Sequence, residues 1–167
     1  MSRLLEAAGS GDAWAVGELC DRHGAALFGL ARAILGYPAR AETVVVEVIA
    51  RACIDPGATA TASGGGSLRR ELARLTYLYA TRCLDTTSSS RPGSGSAMMA
   101  GLAELARQQR SAVALVQCGD HTIGDVAGLL DVTEPVVAML LCSGLKDLQT
   151  ADRPAAGDGS RRAGRPV

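Results

Sequence analysis

Leucine, valine and alanine recur along this chain at the three- and four-residue spacing of a helix face, and two glycine- and serine-rich segments interrupt the pattern. A chain written this way folds by laying amphipathic helices against one another, each burying one stripe. Apolar residues make up 47% of the 167 residues, enough for a core, but aromatic residues only 3%, so the core must be built from Ala, Leu and Val. No apolar stretch approaches the roughly 20 residues that a membrane-spanning helix needs. The opening Met1-Ser2-Arg3-Leu4-Leu5-Glu6 reaches an acid too early for a signal peptide. These features predict an all-α protein of the cytoplasm.

The two interruptions set the organisation. Residues 55–67 contain Pro56 and three consecutive glycines and read as a loop. Residues 86–96 are rich in Ser and Gly and poor in apolar residues, which predicts an interdomain linker. The expected layout is a helical domain over 1–85, the linker over 86–96, a second domain over 97–150, and a disordered tail over 151–167 of Gly, Pro, Arg and Ala. Asp12 is placed to cap a helix over 13–35, with Val16, Leu19, Cys20, Leu27, Leu30, Ala31 and Ile34 as its apolar set. A second helix is predicted over 39–54. A third, capped by Ser67, is predicted over 68–84 with Leu68, Leu72, Leu75 and Leu78 or Tyr79 inward. A fourth spans about 98–117. Two further helices, 121–130 and 134–148, are separated by Asp131-Val132-Thr133. This last pair reads as a helix-turn-helix: Ala127 is small where a second helix must cross, Asp131 tolerates a left-handed backbone, and Val137, Leu141, Leu145 and Leu148 form an inward stripe. The alternative is a plain helical hairpin.

Charge is balanced in total, 17 basic against 17 acidic, but not along the chain. Residues 101–150 carry three basic and six acidic side chains, whereas duplex-binding modules present a basic face. The five cysteines are odd in number and form no CxxC pair, which argues against a disulfide framework. Cys20 with His23 and Cys118 with His121 each have helical i, i+3 spacing that two pairs could use to hold zinc, but chance spacing with apolar cysteines explains them better. No metal and no cofactor is expected. No phosphate-cradling glycine loop or Ser/His/Asp arrangement is present, and the two histidines are far apart in sequence, so an enzyme is not expected.

Four stretches, in order, resemble the extracytoplasmic-function family of RNA polymerase sigma factors. Glu18-Leu19-Cys20-Asp21-Arg22-His23 and the residues to Ala31 are similar to the first helix of that family's N-terminal domain. Ala41-Glu42-Thr43-Val44-Val45-Val46-Glu47-Val48-Ile49 is similar to its next helix. Ser67-Leu68-Arg69-Arg70-Glu71-Leu72 is similar to the start of the following one, and Ile123-Gly124-Asp125-Val126-Ala127-Gly128-Leu129-Leu130 to the first helix of its helix-turn-helix. The resemblance covers residues 4–148. It implies an N-terminal domain that grips core RNA polymerase and opens the promoter, and a C-terminal module whose second helix reads an upstream promoter element.

The residues that would carry those tasks depart from the family. In the polymerase-contacting helix Glu42 and Glu47 keep their character, while Thr43 and Val46 stand where the family has Asp and Gln. Val46 is either buried by its own domain or part of a protein interface. Strand capture needs stacking platforms; Ile49 and Cys53 stand where the family places aromatic rings. Arg69, Arg70, Arg74 and Arg82 remain as a modest basic set, either a solvated helix face or residual phosphate contacts. The recognition helix has Ala138, Met139, Leu140 and Ser143 at positions that are polar or basic in the family, with no cation before Lys146. Base-edge readout relies on Arg, Lys, Asn or Gln, and Asp131 and Glu134 put negative charge where a phosphate would sit. Val136, Met139 and Leu140 are therefore candidates for a protein interface, or else pack within the chain. The expected function is a sigma-like transcription regulator that works by protein contact, with an anti-sigma factor, another sigma factor, RNA polymerase core or itself, and that binds DNA weakly or not at all. The alternative is a working sigma factor that directs polymerase to promoters.

Overall fold

A computed structural model describes residues 2–57, 59, 67–88 and 97–151. Most of the expected linker, the glycine run at 64–66 and the tail beyond 151 lie outside the described residues. Among the described residues every regular element is a helix: α1 Ser2–Gly9, α2 Ala13–Leu35, α3 Pro38–Ile54, α4 Leu68–Ser88, α5 Ala97–Gly119, α6 Ile123–Leu130 and α7 Glu134–Ala151. The all-α expectation holds. No single described helix is long and apolar enough to cross a membrane; α6 and α7 together approach that apolarity but bend by 101° between them.

Local chemistry fixes the ends. The Asp12 carboxylate accepts from the backbone N–H groups of Trp14 (2.9 Å) and Ala15 (3.4 Å), capping α2 as expected. Gly36, in the left-handed region at φ 76°, ends α2 with its N–H on the Arg32 carbonyl. Pro38 opens α3 without wasting a donor. The Ser67 hydroxyl accepts from the Arg70 N–H at the start of α4. Sequence spacing missed α1, whose Leu5 and Ala8 are buried. It also ended α4 four residues early: α4 runs to Ser88 and absorbs the first residues of the expected linker. Pro56, Gly57 and Thr59, expected in a loop, are helical.

The core lies along α2. Its Leu19, Leu27 and Leu30 are fully buried together with Val48 of α3, Leu72 of α4 and Leu115 of α5. Residues on both sides of the expected linker thus share one hydrophobic cluster, which continues to Val126 of α6 and Val137 of α7. Arg110 of α5 fastens this packing by donating Nε–H to the Ala33 carbonyl of α2 at 3.1 Å. Several inward assignments change. Cys20 is exposed. On α4 the buried positions are Leu72, Ala73, Thr76 and Ala80, whereas Leu68, Leu75, Leu78 and Tyr79 are half-buried. Small side chains let α4 approach its neighbours closely, and the larger ones flank the contact.

The C-terminal three helices position the candidate interface. Thr122 and Asp125 form a reciprocal capping box at the start of α6: the Thr122 hydroxyl accepts from Asp125 N–H (3.2 Å) and the Asp125 carboxylate from Thr122 N–H (2.9 Å). Asp131 takes the left-handed conformation, φ 54° and ψ 47°, with its N–H on the Ala127 carbonyl. A bend of 101° across Asp131-Val132-Thr133 suits a helix-turn-helix arrangement and not an antiparallel hairpin. The buried stripe of α7 is Val137, Leu140 and Gly144, with Leu145 and Leu148 exposed. The expected stripe was rotated by about one position. The cause is Gly144, where a Cβ would stand 2.6 Å from Val113 Cγ2 of α5. The helices cross where only glycine fits, and this brings Leu140 inward.

Candidate functional site

Three surfaces carry the side chains singled out by sequence. On α3, Glu42, Thr43, Val46 and Glu47 are all exposed and share one face by their three- and four-residue spacing. Thr43 turns its hydroxyl back onto the Ala39 carbonyl at 3.0 Å, leaving a methyl outward. Val46 is 68% exposed, so α3 is not covered on all sides. Behind Val46 runs an apolar groove of about 360 Å³ between α2 and α3, lined by Val16, Cys20, Val45, Ile49 and Cys53 among others. Burial and the neighbouring Cys20 push the Cys53 thiol up. The face offers two carboxylates flanking hydrocarbon and has no aromatic ring on which a base could stack.

The four arginines of α4 part company. Arg69 donates Nε–H to the Cys118 carbonyl (2.8 Å), and Arg70 donates Nε–H to the Asp120 carbonyl (3.0 Å) while its terminal nitrogen lies 3.6 Å from the Asp125 carboxylate. The first acceptor lies in the last turn of α5 and the second in the turn between α5 and α6. Arg74 donates to Glu71 at 2.7 Å; Glu71 is only 4% exposed, and by accepting these hydrogen bonds it holds the Arg74 guanidinium above its usual value. Arg82, like Arg69, is exposed, whereas Arg70 and Arg74 are half-buried. Two of the four guanidinium groups therefore fasten α4 to the C-terminal helices, and a third neutralises a buried acid.

The third surface is α7. Met139 is 65% exposed and Val136 is half-buried, but Leu140 is 5% exposed and belongs to the core. Leu140 is thus withdrawn from the interface set, for the reason given by Gly144. The outward face of the first turns is Glu134, Pro135, Ala138, Met139, Cys142 and Ser143. It holds one acid and no cation. Asp131, also exposed, adds a second negative charge at the same end.

Two features, a cleft and the burial of both histidines, had no local sequence signal. A largely apolar cleft of about 670 Å³ opens where α2, α5 and α7 meet, with Gly29, Ala33, Val113, Ala114 and Leu148 in its wall and Arg110 at its edge. His23 and His121 are both buried, and the Nδ1 atom of each has no hydrogen-bond partner. Burial first, then Arg69 and Arg22, hold His23 below the ordinary histidine value. Burial also dominates at His121, with Arg70 in the same direction, against Asp125 and the Leu115 and Gly119 carbonyls. The i, i+3 pairs do not assemble: Cys20 is exposed while His23 is buried, and among the described residues no three His, Cys, Asp or Glu side chains converge on a point that could hold a metal. No protein-family model matches the chain, and no curated protein matches it.

Proposed function

We propose that the chain is a sigma-factor-like helix-turn-helix regulator that works through protein contacts and has given up promoter reading. The observation that carries this is the outward face of α7, where no Arg or Lys stands before Lys146 and the exposed residues are Pro135, Ala138, Met139, Cys142 and Ser143. Each good bidentate contact to a base edge contributes about 1–3 kcal/mol of discrimination, and this face can make none. The two acids at the N-terminal end of α7 would repel a phosphate at the position where a helix N-terminus otherwise attracts one. Two arginines of α4 are engaged with carbonyls and a third with Glu71, so compensation from that side is small. The exposed carboxylate-flanked Val46 face on α3 supplies a second protein-contact surface, the one that faces polymerase in the family the sequence resembles.

The test uses the full chain. It is mixed with purified core RNA polymerase, and in parallel with a library of duplex DNA at physiological salt. Stable association with polymerase without sequence selection from the library supports the proposal. Selection of one DNA sequence with a Kd at or below about 10⁻⁸ M, the range of specific binders, would establish the competing reading of a working sigma factor.

A further inference from the structure

We infer that the junction where α4 grips the turn between α5 and α6 is a proton-sensitive latch, held shut by neutral His23 and His121 and opened when they take up protons. The inference does not depend on the proposed function. It starts from the two arginine bonds. Arg69 to the Cys118 carbonyl and Arg70 to the Asp120 carbonyl bridge 49 and 50 residues of chain; the second bond is to the residue before His121, and the Arg69 charge opposes a charge on His23. His23, on α2, faces Arg69 from α4 and Arg22 from its own helix. His121, in the turn, faces Arg70 from α4 and Asp125 from α6, with the Leu115 and Gly119 carbonyls of α5 nearby.

Packing around His121 is tight. A Cβ on Gly119 would lie 2.6 Å from His121 Nδ1 and 2.9 Å from Ala73 Cβ, so the imidazole is wedged between the end of α5 and the side of α4. His23 and His121 are 9% and 6% exposed. A neutral imidazole tolerates one bare nitrogen as an acceptor without a donor. An imidazolium carries N–H on both nitrogens, and Nδ1 of each ring makes no hydrogen bond in the structure. Protonation therefore creates a buried positive charge with an unmatched donor beside a guanidinium, a combination that burial penalises heavily. At His121 the Asp125 carboxylate and the Leu115 and Gly119 carbonyls offset part of this, but Asp125 is already engaged by Thr122 and by Arg70, and burial still dominates. The strain at His121 is relieved when the turn lifts from α4, which hydrates that ring and frees the Arg69 and Arg70 guanidinium groups, with Arg69 acting on His23, from their carbonyl acceptors.

The experiment is an NMR titration of the full chain from about pH 7.5 to about pH 5, following the histidine ring C–H signals and the Nε–H signals of Arg69, Arg70 and Arg74. Arg74 is the internal control, since its partner Glu71 lies within α4. The latch predicts that the Arg69 and Arg70 signals fade with the same midpoint as the histidine titration, below the ordinary histidine value of about 6.5, while Arg74 persists. The opening equilibrium steepens by at most about tenfold per pH unit for each proton taken up. Base-catalysed exchange itself slows in acid, so fading on acidification reports opening. In the double variant His23→Gln, His121→Gln the Arg69 and Arg70 signals should survive to the lowest pH. If that variant fails to fold, the wild-type titration decides alone. Histidines that protonate while the Arg69 and Arg70 signals stay as strong as Arg74, or that remain neutral throughout, overturn the inference.

Discussion

Two single positions hold the C-terminal helices in place by opposite means. At Gly144 the demand is for space. Alanine there would gain about 1 kcal/mol of helix propensity, but its Cβ would stand 2.6 Å from Val113 Cγ2, a methyl on a stiff β-branched side chain. Overpacking of this kind costs about 1–3 kcal/mol, so Gly144→Ala should destabilise the protein by a net ~1 kcal/mol in urea unfolding. A more stable Gly144→Ala protein would mean that the α5–α7 crossing relaxes freely. At Asp131 the demand is for backbone conformation. Its left-handed φ and ψ suit Asp, Asn or Gly and penalise a β-branched residue by roughly 1–2 kcal/mol. Asp131→Val should therefore lower the thermal midpoint by several degrees, and Asp131→Asn should leave it nearly unchanged. The Asp131 conformation was readable from sequence because it depends on its own neighbours. The role of Gly144 was not, because the atom that demands it belongs to a residue 31 positions away.

At the scale of a helix the same contrast decides which faces could be read in advance. The stripe of α2 and the Asp12 cap were legible, since one helix supplies both the spacing and the cap. For α7 the periodicity allowed two adjacent stripes, Val137-Leu141-Leu145-Leu148 or Val137-Leu140-Gly144, and hydrophobicity alone favours the first. The structure takes the second because close approach to α5 outweighs the extra leucine area. A paired substitution reads this out. Met139→Lys, on an exposed side chain, should change stability by no more than about 0.5 kcal/mol, whereas Leu140→Arg should cost several kcal/mol through a buried unpaired charge. Equal effects in chemical denaturation would return Leu140 to the surface and restore the interface set expected from sequence. The partners of Arg69 and Arg70 were also beyond local reading. Their sequence context matched a helix entrance with two surface cations, and only the tertiary packing beside α4 supplies their acceptors, the Cys118 and Asp120 carbonyls.

For the molecule as a whole, the titrating groups set a pH profile of stability. His23 and His121 are held below the ordinary value, so the unfolded chain binds protons more readily than the folded one once the pH drops under about 6.5. The stability that neutral burial confers is present above that pH and declines as the pH falls toward their folded values. Asp125 works lower in the scale. Hydrogen bonds from Thr122 hold its carboxyl below 3.8, so its contribution is present above 3.8 and disappears as the pH falls through its folded value. Thermal midpoints measured from neutral to strongly acid pH should thus fall in two stages, the first abolished by His23→Gln with His121→Gln. A single stage confined to the carboxylate range would show that both histidines protonate without cost. The bond from Arg110 to the Ala33 carbonyl closes 77 residues of chain and seats α5 on the flank of α2. At translation rates of about 5–20 residues per second, that flank waits roughly 4–15 s on the ribosome before its cover is made. During synthesis the apolar side chains on that flank, Ala33 among them, stay open to solvent until α5 has emerged.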